Sequence, residues 1–301
     1  MGEEDMNITI TLILSLAAAL IGGICKKYYT DKFVATISGG FFFNAVGCIT
    51  SAVILLCLGG FGNASVFTVL LGLLFGAVTA FQGITNILAL GCGPMSYTSV
   101  IISFSTLISA LSGLAFFGEG IGWAQIVGIV LMLGSFVLAT KTGTEKEKKA
   151  NLKWFLLCLA AFAATGGIGI MQKVHQSSGH SSELNAFLII AFITSAIFCT
   201  LFAVALNKKS NRGEEHKQRG IWHMLGIMLV SGVCIAINNK FNLYLSGVMD
   251  SAIFFPIVNG GGLVLTTLAA VLLFKEKLSA KQWVGIILGI ISVVFLCNPF
   301  S

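Results

Sequence analysis

Apolar runs long enough to cross a bilayer occupy nearly the whole chain, and the charged residues are confined to short gaps between them. A bilayer offers no hydrogen bonds to an exposed backbone, so runs of this length must be helices. The segments read as 8–25, 33–58, 66–90, 95–117, 122–139, 154–172, 184–206, 221–245, 252–274 and 283–297. The 301 residues are 56% hydrophobic and 10% charged, which excludes a soluble domain and a disordered tail. The expected fold class is an all-α polytopic membrane protein of ten transmembrane helices. The first run follows Glu3-Glu4-Asp5, whereas a secretory leader opens on positive charge, so the run is read as helix 1. Trp123, Trp154, Trp222 and Trp283 each fall at the start of a span, the headgroup level that indole favours.

Lysine and arginine set the orientation. Loops after spans 1, 3, 5, 7 and 9 hold sixteen (among them Lys146, Lys148, Lys208, Arg212, Lys275 and Lys277), and those after the even spans hold Lys173 alone. The odd loops are therefore assigned to the cytoplasm and both termini to the outside of a cell (plasma or inner) membrane. The formal charge of +6 reflects this bias and not a nucleic-acid surface. The eight cysteines stand singly, without metal or redox spacing. His175, His180, His216 and His223 lack companions at ligand spacing. With no nucleophilic elbow, Walker sequence or dinucleotide fingerprint present, no cofactor, metal or enzymatic activity is expected.

The chain also repeats itself. Phe117-Gly118-Glu119-Gly120-Ile121 aligns with Phe274-Lys275-Glu276-Lys277-Leu278. At the same offset Gln125 meets Gln282, and Val127-Gly128-Ile129 meets Val284-Gly285-Ile286. Asn86 and Gly91 match Asn242 and Gly247 one residue closer. The expected domains are a first five-helix half, 1–140, a cytoplasmic linker, 141–153, and a second half, 154–301. Five is odd, so the second half enters the membrane inverted. The lysines agree: the hairpin at Glu276 carries Lys275 and Lys277 where the one at Glu119 carries Gly118 and Gly120. Inverted halves of this kind build transporters.

The paired glutamate hairpins, each followed by Gln and Val-Gly-Ile, and the five-plus-five plan resemble the drug/metabolite transporter superfamily, in particular its ten-helix EamA-like branch, over residues 10–296. The resemblance implies a carrier working by alternating access, with spans 1, 3, 4, 6, 8 and 9 lining a central cavity. Nothing acidic lies in spans 1 or 6, which departs from the small multidrug members and argues against cation/proton antiport.

Candidate substrate-binding residues are the polar ones within the spans. Lys240, flanked by Asn238, Asn239 and Asn242, either faces water and attracts an anion or reaches the outer headgroups. Asn259 precedes Gly260-Gly261-Gly262, which invite local opening of span 9. Ser103, Ser105, Thr106 and Ser109 form the matching region of span 4. Gln82 and Asn86 share one face of span 3. Glu119 and Glu276 are read as structural, each holding its hairpin by accepting from the next helix's amino end. Gly128 and Gly285 are read as packing positions. The expected function is a secondary transporter of a small polar metabolite, an amino acid or related organic acid, with export favoured. Sugar phosphate or nucleotide sugar is the alternative cargo. A channel, or a non-transporting scaffold or receptor, is the alternative class. Partners are the lipid bilayer and a small-molecule substrate.

Overall fold

The computed structural model describes residues 3–32, 37–92, 95–139, 151–209, 221–274 and 278–297. Twelve α-helices lie among them: α1 (Glu3–Lys32), α2 (Ile37–Gly59), α3 (Val66–Cys92), α4 (Met95–Ser103), α5 (Thr106–Phe116), α6 (Trp123–Ala139), α7 (Leu152–Ser177), α8 (Leu184–Lys209), α9 (Ile221–Val248), α10 (Ser251–Pro256), α11 (Gly262–Phe274) and α12 (Ala280–Leu296). A 3-10 turn, Ser181–Glu183, leads into α8, and a π turn, Ile257–Gly261, joins α10 to α11. Each sequence-read span is present as a helix or as two helices in series. Among the described residues eight spans are long and apolar enough to cross a membrane, while α6 and α12, at 17 residues each, are shorter. Seventeen residues rise about 26 Å, just under a hydrocarbon core of about 30 Å. The chain is an integral, multi-pass, all-helical membrane protein.

It divides into two compact units, Met1–Ala80 with Gly179–Asn242, and Phe81–Ser178 with Leu243–Ser301. Each draws spans from both halves of the sequence. In the first unit α2 packs along α8 and the two run antiparallel: Ser38 Oγ donates to Ala203 O at 3.0 Å, and Gly59 lies against Asn185. Gly72 and Gly76 let α3 approach the backbone of α8, because a side chain there would meet Phe187 O and Ala191 O. Small residues at such crossings let membrane helices pack through van der Waals contact.

In the second unit α6 pairs with α12, and the repeated motif acquires a physical meaning. Gln125 Oε1 accepts from Gly122 N (2.9 Å), and Gln282 Oε1 accepts from Ser279 N (3.0 Å), so each glutamine caps its own helix. The glycines and serines seven residues apart then bond reciprocally. Ser135 Oγ donates to Gly285 O and Ser292 Oγ donates to Gly128 O, both at 2.7 Å. Early positions of one helix meet late positions of the other, so α6 and α12 are antiparallel.

One of the four tryptophans departs from the headgroup expectation. Trp123 and Trp222 are each 83% exposed. Trp154 is buried, with Nε1 donating to Thr98 Oγ1 at 2.8 Å and Ala89 and Cys158 packed around it. Its indole is a core residue because span 4 offers it an acceptor.

Candidate functional site

In the second unit two long spans, 4 and 9, are interrupted. Span 4 breaks between α4 and α5: Ser105 N turns to Ile102 O (3.0 Å) and Leu107 N to Phe104 O (2.9 Å), three residues back instead of four. This releases the carbonyls of Ile101 and Ser103 from the regular helical pattern. Serine and threonine side chains compete with the backbone for hydrogen bonds, which favours a break at Ser103–Thr106. Span 9 breaks at the π turn, where Pro256 lacks an N–H and Gly260–Gly262 favour a regular helix least. The interruptions face each other: Asn259 Nδ2 donates to Thr106 Oγ1 at 3.1 Å. Gly260 lies against Met132 of α6, whose side chain would have to move for a Cβ to fit. Asn259 keeps its carbonyl oxygen and considerable exposure. Of the neighbouring hydroxyls, Ser109 donates to Gly166 O of α7 (3.2 Å), Ser105 and Thr106 are both buried, and Thr106 is the one that meets Asn259.

A second polar cluster lies in the first unit. Asn238 Nδ2 donates to Ser15 O (3.0 Å) and Ser15 Oγ (3.1 Å), Ser15 Oγ donates to Asn242 Oδ1 (2.6 Å), and Asn242 Nδ2 reaches Asn238 Oδ1 (3.3 Å). The structure thus brings Asn238 and Asn242 together around fully buried Ser15 of α1. Asn239 turns back to Ile235 O at 2.9 Å. Lys240 is not in this cluster. Two residues from each asparagine on a helix of 3.6 residues per turn, it points away from them, along the stripe of exposed Val233, Ile237 and Tyr244. It is half-buried and has no hydrogen bond or ion pair with another described residue. Gln82 and Asn86, both half-buried on α3, likewise keep their amides unpaired among the described residues.

Glu119 accepts at a different partner from the one expected. Its Oε2 accepts from Ser251 N at 2.7 Å, the start of α10, and not from the following helix, whose end is capped by Gln125. Its Oε1 pairs with Lys173 Nζ at 2.6 Å, the two side chains being 11% and 7% exposed. Lys173, read from the sequence as a loop residue, therefore lies buried within α7. Glu276 falls outside the described residues. Gly128 and Gly285 are the acceptors of the reciprocal seam. Among the described residues no group of three His, Cys, Asp or Glu side chains is placed to hold a metal ion. An apolar groove of about 440 Å³ lies between α2 and α8, lined by Ile49, Val53, Leu56, Ile193 and Leu201. Its Thr200 hydroxyl is turned to Ala196 O (2.7 Å), so the groove suits acyl chains and offers a polar solute nothing.

Paired polar interruptions inside a multi-span helical membrane protein are a feature that transporter folds share. Residues 152–298 match the EamA-like transporter family, so an EamA-like polytopic membrane fold covers that part of the chain. An uncharacterized protein of Haemophilus influenzae is 24% identical over 199 residues, which are 64% of this chain and 62% of the relative's length. A solved structure described as a crystal structure of protein shares the fold with a TM-score of 0.72 at 15% identity, over 96% of each chain.

Proposed function

We propose that this chain is a secondary carrier for a small polar metabolite, an amino acid or related organic acid, exported by alternating access of two inverted halves, 1–140 and 154–301. The facing interruptions of spans 4 and 9, joined by Asn259 and Thr106, carry the reading. Helices broken within the membrane present backbone and amide groups to cargo and can change shape without losing every hydrogen bond. The reciprocal α6–α12 seam and the antiparallel α2–α8 pair support inversion, since each joins spans matched in the repeat. Asn259, Thr106 and the amides of Gln82 and Asn86 are neutral, which favours uncharged or zwitterionic cargo. Lys240, with Asn238 and Asn242 behind it on α9, is proposed as the group that draws an anionic carboxylate.

The test is purified protein in vesicles with radiolabelled amino acids and organic acids, chosen by a thermal-shift screen, because a ligand that prefers the folded state raises its melting temperature. Saturable flux that accelerates when unlabelled cargo is placed on the opposite side is expected. Asn259→Ala should lower it at least tenfold, and Lys240→Gln should do so for anionic cargo alone. Linear, non-saturating flux would replace the carrier by a pore, and absence of flux across the panel would end the transport reading for these cargos.

A further inference from the structure

The half-helix α10 is held at its start by residues from elsewhere in the chain and runs at its other end into a turn. At its start the N-cap residue, Asp250, makes no capping bond. The carboxylate that accepts from Ser251 N belongs to Glu119, 132 residues earlier in the chain. The same carboxylate is gripped by Lys173 of α7, whose ammonium also donates to Met249 O at 2.9 Å. One buried ion pair thus ties together the α5–α6 hairpin, the end of α7 and the turn before α10. Gly113 makes room for it, since a Cβ there would strike the Glu119 carboxylate. At its other end α10 runs into Pro256 and the π turn, and Gly262 beyond that turn has open space around it.

A short helix clamped by a buried charge pair at one end and joined to a glycine-rich π turn at the other has the form of a gate with a latch and a hinge. A further feature sets this state apart. The Ser251 hydroxyl is buried without a hydrogen-bond partner among the described residues. An orphaned buried hydroxyl carries a cost that swinging α10 outward would relieve. From this geometry we infer that Glu119 and Lys173 are positioning residues forming a latch on α10, and that its release, with bending at the π turn, is a step of the transport cycle. The inference rests on the carrier reading. It assigns a role to a pair that makes no contact with the Asn259–Thr106 site.

The experiment is hydrogen–deuterium exchange with mass spectrometry on the full-length protein in detergent, with no cargo added. Removing one charge would strand the other, so the principal variant is the neutral pair Glu119→Gln with Lys173→Met. Amides of residues 251–262 should exchange at least tenfold faster than in the unmodified protein, while those of α6 and α12 keep their protection. Gly262→Ala tests the hinge independently and should slow exchange in the same segment at least threefold. In vesicles the two variants should shift maximal flux in opposite directions, up for the neutral pair and down for Gly262→Ala, with KM moving less than twofold. Unchanged exchange at 251–262 in both variants, or flux changing in the same direction in both, would overturn the inference. If the neutral pair does not fold, the Gly262→Ala result decides: slowed exchange and flux support the hinged gate, and unchanged values overturn it. The exchange measurement reads α10 whether or not any cargo moves, so failure of the latch and failure of the carrier reading give different results.

Discussion

Some polar residues within the spans are satisfied in closed sets, whereas Lys240, Gln82, Asn86 and the Ser251 hydroxyl stand outside them. Asn238, Asn242 and Ser15 exchange four hydrogen bonds among themselves, which makes them a clasp between α1 and α9. Ser15→Ala should therefore lower stability by about 1 kcal/mol, within the range for membrane hydrogen bonds, and thermal unfolding in detergent would register it. Loss of transport at unchanged melting temperature would instead make Ser15 a cargo contact. The asparagines were legible in the sequence because an amide in an apolar run needs an explanation. Ser15 was not, since a single serine in a helix ordinarily bonds its own backbone. Lys173 and Glu119 were individually visible, but their pairing was hidden, because nothing along the chain links residue 119 to residue 173. Trp154 followed the anchor pattern in sequence and broke it in space, where Thr98 drew it inward.

Helices were the most legible level, because hydropathy fixes a span's existence whatever its neighbours do. Their interruptions were half legible: Gly260-Gly261-Gly262 announced the opening of span 9, whereas the break in span 4 left only a cluster of hydroxyls to mark it. Packing between helices depended on which glycine met which backbone. Gly76 on α3 faces Ala191 O and Thr194 of α8, while Gly83 on the same helix has nothing within 4 Å. Gly76→Val should cost about 1–3 kcal/mol through overpacking, and Gly83→Ala should be neutral or slightly stabilising. Melting temperatures of the two purified variants would check this, and equal effects would contradict the crowding drawn here.

For the whole molecule the repeat and the loop charges together make a topological statement. Single cysteines replacing Gly120 and Lys277 in a cysteine-free background should react with a membrane-impermeant maleimide from opposite sides of the membrane. Labelling from one side alone would remove the inverted arrangement and, with it, alternating access by inverted halves. The repeat was read from matched letters, yet its physical content emerged only in α6 and α12, where glutamines cap and serines reach across. Because Ser135 bonds opposite Gly285 while Ser292 bonds opposite Gly128, each half is the other's environment at this seam. A change at one of these four positions is felt by its diagonal partner on the other helix, so α6 and α12 are not at liberty to diverge independently here. Descendants of the chain should vary at 128 with 292, and at 135 with 285, while the same helices wander elsewhere.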